Sequence, residues 1–179
     1  MGALLRPLML LGLYLPGAAL AQAAPTASFA MGGQIEAGTC AVGSVVQTMP
    51  DVAANVFSQN ASSAAGVPSS YTRFVLALTR CTGVVGASFV MGTAADAEPA
   101  HINAFRNKAV DAAPFTSIWL KAGACGTAGA TIAPGETISR EFSTPEYDLA
   151  LCAQYHKHRG GLVTQGGIST DFTVTITYR

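Results

Sequence analysis

Residues 169–179 read STDFTVTITYR, and this stretch decides the expected fold. Large apolar residues alternate in it with threonine, at Phe172, Val174, Ile176 and Tyr178. Because the side chains of a strand point alternately to its two faces, all four large groups share one face. A strand this rich in aromatic and β-branched residues normally has a neighbour on each side, yet no sequence follows Arg179. We therefore expect another polypeptide to supply the missing neighbour.

Residues 1–23 have the pattern of a secretory signal peptide. Arg6 precedes an apolar run that Pro16 and Gly17 interrupt, and small residues fit cleavage after Ala21 or after Ala23. The run is shorter than the roughly 20 apolar residues that are needed to span a bilayer. The sequence therefore predicts export, with no stable membrane insertion of the mature chain.

The chain that remains after cleavage is nearly neutral and has the length of one domain, roughly 156 residues. The full sequence has ten Lys or Arg and ten Asp or Glu, and cleavage removes Arg6 from the first group. Because no basic stripe is present, nucleic acid is not an expected partner.

The cysteines indicate two disulfides in a chain that is exported to an oxidising compartment. They are Cys40, Cys81, Cys125 and Cys152. Of the three possible pairings, Cys40 with Cys81 and Cys125 with Cys152 are favoured, because both pairs close local loops. A metal site of Cys125, Cys152, His156 and His158 is the less favoured alternative, because no paired C-x-x-C spacing is present and oxidation competes for the thiols. We expect neither a metal nor a cofactor.

Two polar groups of residues stand out. The stretch 156–159, His-Lys-His-Arg, is predicted as a solvated loop between the last two strands, with contact to a host ligand as the alternative. Asp96 and Glu98 lie in a segment rich in Pro and Ala and are predicted as surface carboxylates. With no G-x-S-x-G, H-E-x-x-H or phosphate-binding loop, the protein is not expected to be an enzyme.

Short runs with a period of two, separated by turn residues, indicate an antiparallel β-sandwich. Strands are predicted over residues 71–81, 86–91, 115–121, 138–142 and 148–155, with a short one near Thr131. Ile118 and Leu120 are expected to face away from Trp119. Residues 51–70 are predicted as a loop with a short helical turn.

Four stretches in this order resemble chaperone-usher pilins of the type 1 fimbrial class. They are GQIEAGTCAV (33–42), FVLAL (74–78) leading to Cys81, SFVMGTA (88–94), and the terminal strand with its penultimate Tyr178. Gly166, fourteenth from the end, falls where the C-terminal motif of that family has its glycine. The resemblance covers nearly the whole mature chain, whereas Cys125 and Cys152 depart from the simplest members.

The resemblance implies an all-β, incomplete immunoglobulin-like sandwich of six strands over residues 37–179, lacking its last strand. In that family a periplasmic chaperone fills the gap first, and at the outer-membrane usher the N-terminal extension of a neighbouring pilus subunit replaces it. Residues 24–36 are then the donor strand, although they could instead form the first strand of their own domain. The donor residues expected in successive groove sites are Ala27, Phe29, Met31, Gly33 and Ile35, with Gly33 at the site too shallow for a side chain.

The resemblance also assigns an acceptor groove and chaperone-binding surface. Its residues are Gly166, Phe172, Val174, Ile176, Tyr178 and Arg179, with the Arg179 carboxylate anchored on basic residues of the chaperone. The expected function is that of a structural subunit of a bacterial surface fimbria that supports cell adhesion. The alternatives are a minor adaptor, a fibre-terminating or self-complemented subunit, or a tip subunit with direct carbohydrate binding.

Overall fold

The structure is a computed structural model that describes residues 38–179. The predicted signal peptide (1–23) and the predicted donor strand (24–36) lie outside the described residues and stay predictions. Among residues 38–179, no helix has the length and apolar character needed to cross a membrane.

The described chain consists of strands, turns and four single-turn 3₁₀ helices. The strands are β1 (Thr39–Val42), β2 (Ala65–Gly66), β3 (Thr72–Thr82), β4 (Gly86–Met91), β5 (Ala97–Glu98), β6 (His101–Arg106), β7 (Thr116–Ala122), β8 (Ala130–Ile132), β9 (Thr137–Glu141), β10 (Tyr147–Lys157) and β11 (Val174–Tyr178). The 3₁₀ helices are Ala54–Val56, Pro68–Ser70, Ala94–Asp96 and Gly126–Ala128.

These strands form two antiparallel sheets. The large sheet has the order β1-β3-β10-β7-β6-β5, with β2 beside β10 and β8 beside β7, and the small sheet has the order β11-β4-β9. Large apolar side chains from both sheets fill the space between them and are almost completely buried, for example Leu78 and Phe105 from the large sheet and Phe89 and Met91 from the small one. The prediction of an all-β, immunoglobulin-like sandwich is confirmed.

The strand predictions match the structure where a period of two is strong. The run predicted over 86–91 is β4 (Gly86–Met91), whose buried residues Ala87, Phe89 and Met91 alternate with less buried ones. In β7, Ile118 and Leu120 are buried on the core side while Trp119 faces away from the core. The strands β5 and β6 were not predicted, because Pro99 and the mixed sequence of residues 97–106 show no period. These strands depend on tertiary pairing, of β6 with β7 and of β5 with β6.

Both predicted disulfides are confirmed. Cys40–Cys81 links β1 to β3 across a sequence separation of 41, and Cys125–Cys152 ties the loop after β7 to β10 across a separation of 27. The alternative metal site is wrong, because two of its four proposed ligands form the second disulfide.

The prediction of a solvated loop at residues 156–159 is wrong. His156 and Lys157 lie within β10 and are fully buried, and His158 is nearly so, whereas Arg159 is exposed. The Lys157 ammonium donates hydrogen bonds to the carbonyl oxygens of Asn60 (3.1 Å), Ser63 (3.0 Å) and His158 (3.3 Å). A charged side chain is tolerated in the interior when polar groups satisfy its donors, as they do here.

Candidate strand-acceptor groove

The first wall of the groove is β11, an edge strand of the small sheet. It pairs with β4, from Val174 opposite Met91 to Tyr178 opposite Ala87, and no other strand of the described chain pairs with its free edge. Val174, Ile176 and Tyr178 are half-buried toward the core, and the threonines between them are exposed. One row of backbone N–H and C=O groups therefore stays available to an added strand.

The second wall is formed by residues 42–49, which leave β1 and run beside the open core. Beyond Val42 this segment joins neither sheet in the part of the chain that the structure describes. Its valines are exposed, and Val46 reaches 93%. Apolar side chains without a covering layer are typical of an interaction surface, and this wall supplies a second unpaired backbone edge.

The floor between the two walls is the inner face of the large sheet. The groove has a volume of about 910 Å³, and its floor residues come from β3, β6, β7 and β10. They are Phe74, Leu76, Phe105, Ile118, Leu120, Leu151, Ala153 and Tyr155. These side chains belong to the hydrophobic core or pack against it, so the groove reaches down to the core of the domain.

The two ends of the groove differ. At the end of β11, the Tyr178 hydroxyl donates a hydrogen bond to the Cys40 carbonyl oxygen at 3.3 Å, which brings the two walls together. At the start of β11, the groove shares Asp51, Tyr155 and Ile168 with a second cavity of about 520 Å³. Burial, with a smaller contribution from Asp51, raises the pKa of the Tyr155 hydroxyl above its usual value.

An ion pair holds the chain that leads into β11. The Lys108 ammonium lies 2.9 Å from Asp96 Oδ1 and 3.5 Å from Asp171 Oδ2, and it also donates to the Asp171 carbonyl oxygen. The hydrogen bond with Lys108 is the main cause that lowers the pKa of Asp96 and raises the pKa of Lys108. Asp96 also caps its own 3₁₀ helix by accepting from the Thr93 backbone N–H at 2.8 Å. The predicted surface carboxylates are thus half-buried, with side-chain exposures of 16% for Asp96 and 14% for Glu98.

Gly166 lines the second cavity instead of the groove. A Cβ at this position would fall within 2.6 Å of the Ala113 Cα atom and the Asp111 carbonyl oxygen. Backbone hydrogen bonds of the next residue hold the same two segments together. Gly167 N–H donates to Asp111 O at 2.8 Å, and Ala113 N–H donates to Gly167 O at 2.9 Å. A glycine is needed here for close backbone approach, which positions the segment before β11.

Arg179 continues the pairing of β11 with β4. Its N–H donates to the Gly86 carbonyl oxygen at 3.0 Å, and its own carbonyl oxygen accepts from the N–H groups of Val85 (2.7 Å) and Gly86 (3.1 Å). The guanidinium lies 3.9 Å from Glu141 Oε1 on the exposed face. Arg179 therefore lies beyond the groove lining, and its role toward a chaperone stays a prediction.

Of the predicted groove residues, the structure places Phe172, Val174 and Ile176 along the groove and Tyr178 at its end. Phe172 also packs against Phe105 of the floor, with the two rings tilted and their centroids 4.4 Å apart. The sequence analysis missed the floor and the wall at residues 42–49. Alternation in β3 and β10 identifies their buried faces, but it does not distinguish a covered core residue from one that lines a gap.

Known proteins match this chain by structure and not by sequence. No family model matches it, and no curated protein matches it. A chain of a chaperone-usher pilus, solved to explain rod uncoiling, has a TM-score of 0.53 and 16% identity over 87% of this chain and 100% of its own. The CupB6 tip adhesin of Pseudomonas aeruginosa has a TM-score of 0.51 and 19% identity over 71% of this chain. This chain spans 34% of the length of that adhesin.

A third solved structure, an antigen and type I fimbria protein of Burkholderia pseudomallei, has a TM-score of 0.42 and 20% identity over 73% of this chain and 88% of its own. That score is too low to support a conclusion. The first two similarities establish the fold: this chain has the immunoglobulin-like β-sandwich of chaperone-usher pilus proteins.

Proposed function

We propose that this protein is a structural subunit of a chaperone-usher pilus, joined to its neighbours by insertion of a strand into the groove beside β11. The observation that carries the proposal is the gap of about 910 Å³ between β11 and residues 42–49, because it combines an apolar floor with two unpaired backbone edges. An inserted strand satisfies the backbone of both walls and covers the floor.

Residues 24–36 of a neighbouring copy or a related subunit supply the inserted strand. Burial of Phe29, Met31 and Ile35 contributes about 1.5 to 3 kcal/mol for each side chain. The two ladders add about 1 kcal/mol for each net hydrogen bond. Because each subunit donates one strand and accepts another, the contact does not close on itself and produces a linear fibre.

An open core groove also explains the need for assembly partners. Uncovered apolar floor and free strand edges aggregate unless another chain occupies them. A periplasmic chaperone covers the groove first, and an outer-membrane usher exchanges it for the donor of the next subunit. The protein is thereby exported through the periplasm to the fimbria on the cell surface, where it supports adhesion.

The decisive experiment measures donor binding to the groove. Mature protein purified with its chaperone is mixed with a labelled peptide of residues 24–36, and with the same peptide carrying Gly33→Leu. The natural peptide is expected to displace the chaperone and to stay bound through gel filtration, and the altered peptide to bind at least about tenfold more slowly, because a bulky side chain blocks close approach. Equal binding of the two peptides contradicts the donor assignment, and binding of neither contradicts the acceptor groove.

The position in the fibre requires a separate measurement. Immunogold electron microscopy with antibody to this protein is expected to label the length of the fibre if it is the repeated subunit. Label at one end would identify a tip, adaptor or terminating subunit instead.

A further inference from the structure

All three histidines of the chain meet on the face of the large sheet that lies opposite the groove. They are His101 of β6, His156 of β10 and His158 directly after β10. Tyr155 lines the groove, so its neighbour His156 points to the other face. There it pairs with Ser117 of β7, and the adjacent pair on the same face is Gln154 with Trp119.

His156 is fully buried among aromatic rings. Its ring centroid lies 4.1 Å from that of Trp119 and 4.4 Å from that of His101. Nδ1 is 2.9 Å from the Ser117 hydroxyl oxygen. Nε2 is buried and has no hydrogen-bond partner in the described chain, so a proton placed on it would lack an acceptor.

The charged groups around this cluster are mostly cationic. Lys157 of β10 and Arg159 after it lie beside the histidines, and Lys121 of β7 lies 5.3 Å from the Trp119 ring. Glu98 of β5 provides negative charge, with Oε1 3.8 Å from His158 Nε2. A carboxylate at the edge, next to His158, does not neutralise a charge at the buried centre on His156.

We infer that the three histidines form an acid-sensitive latch that holds residues 97–106, the β5–β6 hairpin, at the edge of the large sheet, where β6 pairs with β7 only through Phe105 and Arg106. When the rings are neutral, His101 packs on His156 and joins the hairpin to β10. When His156 binds a proton, a buried cation lies against His101, with the positive charge of Lys157 next to it along β10, and separation of the hairpin lets water reach it. The latch does not require strand insertion, because the histidines lie on the face opposite the groove and only Phe105 of the hairpin reaches the groove floor.

The direction of the pH effect follows from burial. Burial is the main cause that lowers the pKa of His156 from 6.5 to about 3, followed by His101, His158 and Lys157. Burial also lowers the pKa of His101. The unfolded chain therefore binds more protons than the folded one between about pH 6.5 and about pH 3. The stabilisation is complete above pH 6.5 and is lost as the pH falls toward 3, at up to about tenfold in the unfolding equilibrium constant per pH unit.

The test uses the mature protein with its groove occupied and Trp119, the only tryptophan, as the reporter. Denaturant unfolding is followed by fluorescence at several values between pH 7.5 and pH 4 for the natural chain, for His156→Gln and for Asp96→Asn. The natural chain and Asp96→Asn are expected to lose stability steeply below pH 6.5, and His156→Gln to show a slope at least about threefold smaller. Equal slopes for all three proteins would overturn the latch.

Hydrogen exchange tests the hairpin without any substitution. On moving the natural protein from pH 7 to pH 5, and after correction for the intrinsic pH dependence of exchange, protection of residues 97–106 is expected to fall at least about tenfold more than protection of β4. An equal change in both segments would show that acid acts on the whole domain and not through the hairpin.

Discussion

The two faces of the large sheet contrast in what covers them. On the groove side, apolar residues such as Leu120 and Leu151 line a gap, and the described chain provides no strand to close it. On the opposite side, polar residues such as Gln154 and His156 are buried, and the His101 ring of β6 packs on the His156 ring. The comparison shows that polar side chains on one face are buried as completely as apolar side chains on the other, and that the groove side differs by its strand edge at β11, which is unpaired within residues 38–179.

The largest expected effect concerns the donor that should close the gap. Gly33→Leu is expected to abolish fibre growth, because a side chain at this position prevents close approach of the donor to the groove. Gly32→Leu is the matched control, since the neighbouring residue of a strand points to the opposite face. Fibre lengths measured by electron microscopy should fall to background for the first variant and stay near normal for the second. Normal fibres from both variants would place the donor elsewhere.

Loss of the Cys125–Cys152 disulfide should destabilise the domain without closing or altering the groove. Replacing Cys125 and Cys152 with Ala is expected to lower the free energy of unfolding by about 3.5 kcal/mol, because the disulfide restricts the unfolded chain and links the loop after β7 to β10. Denaturant unfolding measures the loss. Donor-peptide binding should persist in the folded variant, since neither cysteine lines the groove. Loss of peptide binding would show that the two faces are coupled.

Mass spectrometry of a non-reduced digest should first find Cys125 linked to Cys152 in the natural protein.

Substitutions on the two faces of β11 are expected to have different effects on stability and on chaperone binding. Ile176→Ala is expected to lower the free energy of unfolding by about 2 kcal/mol, because Ile176 is half-buried against the core. Thr175→Ala, on the exposed face of the same strand, should change it by about 0.5 kcal/mol or less. Chaperone co-purification should fall only for the first variant. If both variants behave alike, the apolar side of β11 does not form the binding wall.

The smallest effect is expected at the ion pair that precedes β11. Asp96→Asn removes the partner of Lys108 and should cost about 1 kcal/mol or less, because the pair is partly solvated. Since Lys108 lowers the pKa of Asp96, the pair stabilises the domain above the ordinary carboxylate pKa and loses this effect as the pH falls through the lowered value. Unfolding below pH 4 checks the difference from the natural chain. An effect confined to pH 5–6 would indicate a histidine instead.

Prediction from the sequence succeeded where one face of a strand is apolar. The alternation of β4 and β11 shows which residues point inward, because neighbouring residues lie on opposite faces. It failed at His156 and Lys157, whose polar side chains were taken as evidence for a loop. The Lys157 ammonium is buried because it donates to the carbonyl oxygens of Asn60 and Ser63, about 95 residues away along the chain. The local sequence around Lys157 cannot indicate these distant partners.

The sequence by itself determined the β-sandwich class, the core-facing residues of β11 and the favoured disulfide pairs, because period and cysteine spacing are local properties. Only the tertiary structure decided that residues 42–49 form the second wall, that Gly166 lies at a separate cavity and that three histidines meet on the outer face. These arrangements depend on pairing and packing between distant segments, and the side chains concerned carry no local pattern that distinguishes a covered face from an open one.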